Sequence, residues 1–199
     1  MNRSRHSLFL VLSSVCMLAL LTACDSVAWK RVESPTLKSR DKTFEVQVPS
    51  GWMQLDGATD GVLVSRDGLA MQFVRIQRPA HDKAFADIKK NSSADILPNE
   101  LGELIVASRH AWPGMTSLSV KQNEPATFAG MDGVQVRMSY RNERGASFDQ
   151  LVFAAAEEKT VLLFEYQALS RVYFDRDLPA FRSIMGSFKD LSAKRTASK

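Results

Sequence analysis

Residues 8–21 form an apolar run broken only by Ser13 and Ser14, preceded by Arg3 and Arg5 and followed by small residues and Asp25. This is the layout of a cleavable export signal. A membrane-spanning helix needs roughly 20 apolar residues to cross about 30 Å of hydrocarbon, and this run is shorter. The fold must therefore be built from the residues beyond it. The only cysteines are Cys16, inside the run, and Cys24, just after it. An exported domain would sit where disulfides are permitted, yet this one has no pair to form one. Its stability must come from packing.

The four residues Leu21-Thr22-Ala23-Cys24 resemble a bacterial lipobox, with an aliphatic residue three places before the cysteine and small residues between. The resemblance implies cleavage after Ala23 and lipidation of Cys24. One acyl chain holds a protein only reversibly, whereas two or more make a stable anchor at about 0.8 kcal/mol per buried CH₂. Asp25 resembles a sorting signal that retains lipoproteins in the inner membrane. The expected location is the periplasmic face of that membrane, with the outer membrane as the alternative.

Loss of residues 1–23 leaves 176 residues, the size of one ordinary domain. It also lowers the net charge from +4 to +2, with 24 basic and 22 acidic side chains remaining. That balance lacks the clustered positive face of a nucleic-acid binder. The organisation expected is a signal peptide over 1–23, a lipidated N-terminus and tether over 24–41, a folded domain over 42–188 and a polar basic tail over 189–199. A flexible tether of that length reaches about 20–25 Å. Within it, Trp29 either inserts at the membrane interface, where tryptophan is favoured, or opens a first edge strand.

From Thr43 onward the pattern has period two. Phe44, Val46 and Val48 alternate with Glu45 and Gln47 before Pro49-Ser50-Gly51 ends the run, as in a half-buried strand. Residues 62–65 and 69–77 read as a hairpin around Arg66-Asp67-Gly68. Phe85 and Ile88 suggest a short helix over 82–90. A better helix starts near Pro98, with Leu101, Leu104 and Ile105 on one face. Residues 118–121 and 126–128 look extended. Val134, Val136, Met138 and Tyr140 alternate with polar residues in the cleanest strand of the chain, and two further strands over 148–155 and 160–167 complete an antiparallel meander. A last helix is expected with Asp177 as its cap and Pro179 in its first turn, carrying the stripe Leu178, Phe181, Ile184, Met185 and Phe188.

The run Phe44-Glu45-Val46-Gln47-Val48-Pro49-Ser50-Gly51-Trp52, the Gly130-x-x-Gly133-Val134 turn and the ending Tyr173-Phe174…Phe181…Ile184…Ser187-Phe188 resemble the PsbP-like superfamily, including its DcrB-type envelope lipoproteins. The resemblance covers about residues 43–188. It implies an antiparallel sheet flanked by helices on both faces, an α/β/α sandwich of the α+β class. It also implies assembly factors, adaptors or small binding modules, some of them similar to chaperones that shield hydrophobic helices. No catalytic residue set comes with it.

The residues themselves offer little reactive chemistry. His81 and His110 are the only histidines after the signal, and a metal site wants three or four ligands at suitable spacing. There is no G-x-S-x-G elbow. Glu157-Glu158 sits beside Lys159 in a turn, and the Gly-x-x-Gly stretch precedes a strand and not a helix. The expectation is a non-enzymatic protein with no cofactor and no metal, bound to the membrane through its lipid and to a protein of the envelope. Trp52 and Trp112 are the candidate partner-binding residues, because aromatic side chains anchor protein interfaces. The alternative is a small-ligand or lipid-binding module with a cavity between helix and sheet lined by Leu101, Ile105 and Phe128.

Overall fold

A computed structural model describes residues 28–57 and 59–192. The export segment, Cys24, Asp25 and residues 193–199 of the tail lie outside the described residues. The strands are β1 (Ala28–Arg31), β2 (Thr36–Lys38), β3 (Phe44–Gln47), β4 (Met53–Asp56), β5 (Val62–Ser65) and β6 (Gln72–Gln77), then β7 (Met115–Phe128), β8 (Met131–Asn142), β9 (Ser147–Ala156), β10 (Val161–Leu169) and β11 (Lys189–Asp190). Two helices accompany them, α1 (Pro98–His110) and α2 (Tyr173–Gly186). Eight strands form one antiparallel sheet in the order β1-β4-β5-β6-β10-β9-β8-β7, and three form a smaller sheet, β11-β3-β2.

This corrects the expected α/β/α sandwich. The molecule is mostly antiparallel sheet, with two helices of 13 and 14 residues among the described residues. Among the described residues, one face of the large sheet carries α1, over β7, β8 and β9, and the segment before it, whose Phe85, Ile88 and Ile96 share the same core. The other face carries α2 and shares its core with strand β3 of the small sheet. Part of the reason is local. Residues 82–90 do not make a helix but a 3-10 turn, Ala86–Ile88, which Lys89 stops at a positive φ of 55° and a Phe85–Lys90 bridge closes. Likewise, the two short extended pieces expected after Gly114 are one strand, β7, with register shifts at two points and Pro125 within it. Bulges and proline are devices by which a long edge strand avoids pairing with other chains.

Period two in the strands divides the side chains between two cores. Phe44, Val46, Trp52, Phe164, Tyr166 and Phe181 belong to the core under α2. Leu101 and Ile105 of α1 pack on Val134, Val136 and Met138 of β8 in the other. Gly133 permits the close approach of β8 to β9, since a Cβ there would lie 2.1 Å from the Ala154 carbonyl oxygen. Tyr166 stacks between Phe174 and Phe181 at centroid distances of 5.0 and 5.4 Å, and its hydroxyl donates to the carbonyls of Tyr173 and Phe174. The last helix begins at Tyr173, with Val172 as its cap. Asp177, expected as the cap, lies inside the helix, buried and paired with Arg176 and Arg66.

The large sheet reaches back to Ala28, inside the stretch read as tether, and Lys189 and Asp190 of the tail pair with β3. One guanidinium holds this end of the molecule together. Arg78 donates to Glu157 in the β9–β10 turn, to Asp190 of β11 at 3.1 Å and to the Thr43 carbonyl at 3.3 Å. Its hydrogen bonds hold the Asp190 carboxyl well below the usual carboxylate range. Because the folded value is the lower one, the pair's contribution is complete above about pH 4 and declines as pH falls below it. Denaturant melts should therefore show a stability gap between wild type and Asp190→Asn at neutral pH that narrows steadily below about pH 4.

Candidate functional site

The register of the large sheet runs one row of side chains across the face that carries α1. Trp29 stands opposite Leu55, Leu63 opposite Arg75, Arg75 opposite Glu165, Glu165 opposite Val152 and Val152 opposite Val136. The α1 helix covers the Val152 and Val136 end of that row. Among the described residues, neither helix packs on this face across β1, β4, β5 and β6. The apolar side chains of that open half are Trp29, Met53, Leu55, Leu63 and Phe73, with Trp112 at its boundary with α1. None of the six belongs to either core cluster. The same strands do bury their other face, where Val62, Val64, Val74 and Ile76 are fully enclosed. The alternation Gln72, Val74, Ile76 against Phe73, Arg75, Gln77 thus has one apolar side in the core and a second left open.

A buried ionic cluster fixes the boundary. Glu165 of β10 is 2 % exposed and Arg109, in the last turn of α1, is 8 % exposed. Arg75 Nε donates to Glu165 Oε2 at 2.8 Å, and its Nη2 donates to the same oxygen. Arg109 lies 3.4 Å from that oxygen and donates through Nε to Gln150 Oε1 at 2.9 Å. Gln150 in turn donates to Glu165 Oε1 at 2.6 Å. Burial lowers the Arg109 pKa and the Glu165 charge opposes that effect. The neighbouring Tyr140, enclosed beside Phe148, is pushed up to about 12 by burial and then by Glu165.

Trp112 follows α1 directly and lies over this cluster. The Arg109 guanidinium is 4.1 Å from its ring centroid and that of Arg75 is 5.6 Å away, while the Arg75 guanidinium also lies 5.8 Å from the Phe73 ring. Cation–π contacts of this kind contribute about 0.5–2 kcal/mol each, more when desolvated. Two of them hold one indole in place at the border of an open apolar surface. A pre-positioned aromatic ring beside a partly exposed guanidinium is the composition of an interface anchor.

The two tryptophans expected to bind a partner have different fates. Trp52 is 2 % exposed and packs in the core under α2. Trp112 is half-buried at the edge of the open half-face, and Trp29, 42 % exposed, lies at its far side. Cys24 and Asp25 lie outside the described residues. The cavity expected between Leu101, Ile105 and Phe128 does not form, because Phe128 packs with Phe153 and Phe164 in the core on the opposite face of the sheet. His81 bridges Ser92 and the Glu157 carbonyl, each at 2.9 Å, so Nε2 carries the proton donated to that carbonyl. Among the described residues, no three His, Cys, Asp or Glu side chains are grouped to hold a metal ion. Leu63, Phe73, Arg75, Arg109 and Glu165 were not expected as site residues from the sequence. An apolar residue on each side of one strand, as in β6, was the available signal.

No family model matches the chain, and no curated protein matches it in sequence. Solved structures match its fold. Mog1, in a singly substituted form, aligns with a TM-score of 0.54 at 10 % identity over 80 % of this chain and 97 % of its own. Cyanobacterial PsbP (CyanoP) from Synechocystis aligns with a TM-score of 0.50 at 15 % identity, covering 86 % of this chain and 99 % of that one. A protein from Bacteroides thetaiotaomicron gives 0.50 at 7 % identity over 79 % of this chain; the chain spans about half, 48 %, of that protein's length. The fold is PsbP-like.

Proposed function

We propose that the chain is a lipid-anchored protein of the bacterial envelope, held at the periplasmic face of the inner membrane through Cys24, and that it works without catalysis by binding another protein. The observation that carries this reading is the open apolar half of the large sheet, bordered by a tryptophan that two arginines hold in place. Monomeric soluble proteins rarely leave such a contiguous apolar surface uncovered, and where they do it marks an interaction site. The PsbP-like fold agrees with a binding module, and the lipobox resemblance supplies the anchor.

Replacing Cys24 by serine tests the anchor. The variant is expected to leave the membrane fraction and to melt at the wild-type temperature, because residue 24 precedes the first strand. Continued sedimentation with membranes would refute the lipid anchor. Partner binding is tested by crosslinking in intact cells, with subsequent purification. Enrichment of one envelope protein is expected; a pure domain that instead carries a stoichiometric small molecule would contradict the reading.

A further inference from the structure

The open half-face ends at β1, the edge strand nearest to Cys24. Only Asp25, Ser26 and Val27 separate Cys24 from Ala28, so four Cα steps, at most about 14 Å, join the lipidated residue to the sheet. The headgroup layers on the two sides of a bilayer together add about 10–15 Å to the hydrocarbon thickness. A cysteine carrying acyl chains sits at that level, and β1 therefore lies at or just above it.

What remains to be decided is which side of β1 meets the lipid. Trp29 and Arg31 project on the open face, opposite Leu55 and Met53. Lys30 projects on the other side and is tied to Asp56 at 2.5 Å. Arg31 enters no ion pair among the described residues, and the Trp29 indole is the most exposed aromatic surface on the open half-face. An indole that is apolar in body and polar at its N–H, two residues from a free guanidinium, matches the chemistry of the headgroup layer: tryptophan partitions there and arginine pairs with lipid phosphates.

We infer that the β1 corner of the open half-face, with Trp29 inserted and Arg31 at the phosphates, rests on the lipid bilayer, so that the surface around Trp112 is presented close along the membrane. An edge strand and a membrane contact are then one feature. The inference rests on the reading that Cys24 is lipidated.

The test uses the full lipidated chain in vesicles of phosphatidylcholine and phosphatidylglycerol brominated near the headgroup end of the acyl chains. Flotation reads the anchor and tryptophan emission reads the contact. Wild type is expected to float and to lose part of its emission relative to unbrominated vesicles, while Trp29→Phe floats equally and shows no bromine-dependent loss. Chain that floats with no quenching, or with quenching unchanged by Trp29→Phe, overturns the contact and leaves the anchor standing. The first of those results is also the one expected if Trp29 is reserved for a protein partner, which these vesicles lack. Failure to float overturns both readings.

Discussion

Replacing Glu165 by alanine is expected to lower the melting temperature by about 6–20 °C. The carboxylate is buried and neutralises two guanidiniums, one of them Arg109, itself almost wholly enclosed. Removing one partner of a buried ion pair leaves an uncompensated charge and costs about 3–5 kcal/mol. For a domain of this size each kcal/mol moves the midpoint by about 2–4 °C. Differential scanning calorimetry of the two proteins reads the effect directly. The same substitution releases Arg75 and Arg109 from the geometry that holds Trp112, so partner capture should fall even at temperatures where the variant stays folded. A shift of less than 2 °C would mean that the cluster does not pin α1 to the sheet.

Leu63→Asp should do the reverse, leaving the fold intact and abolishing capture. Leu63 stands in the middle of the open half-face, outside both core clusters, and its neighbours Val62 and Val64 fill the core from the opposite side. A carboxylate at this half-buried position stands opposite the Arg75 guanidinium in the free protein and must lose its remaining water in any complex that covers the face. Losses at the centre of an interface commonly reach 2 kcal/mol or more, a weakening of about 30-fold. Affinity measured on the isolated pair, with circular dichroism as the control for folding, checks the prediction. Ser139→Asp, on the other face of the sheet, should leave binding unchanged.

Much of the sheet is visible in the alternation of its strands. The meander of β8, β9 and β10 and the helix opening at Pro98 arise from period and capping, because those signals are local. The remainder depends on distant contacts. Whether residues 82–90 form a helix is decided by where Phe85 packs, and a local 3.6-residue spacing of two side chains does not contain that information. Trp52 and Trp112 both stand near glycine and proline, yet the sheet buries the first and α1 leaves the second at its edge. The ionic cluster brings together residues 75, 109, 150 and 165 from three strands and a helix, and no spacing along the chain announces it. The open half-face is harder still. Its apolar residues look like those of any strand buried on both sides, and only the placement of α1 over β7, β8 and β9 shows that neither described helix covers the others.

That uncovered surface is the centre of the account, and a photo-crosslinking amino acid placed at position 73 in living cells tests it most directly. Phe73 lies beside Arg75 on the open half-face, while position 182 on α2 provides an exposed control away from it. The account predicts one discrete protein adduct from position 73, none from position 182, and loss of the adduct when Leu63→Asp is added. Equal adducts from both positions, or none from position 73 in cells where the protein is membrane-bound, would contradict it.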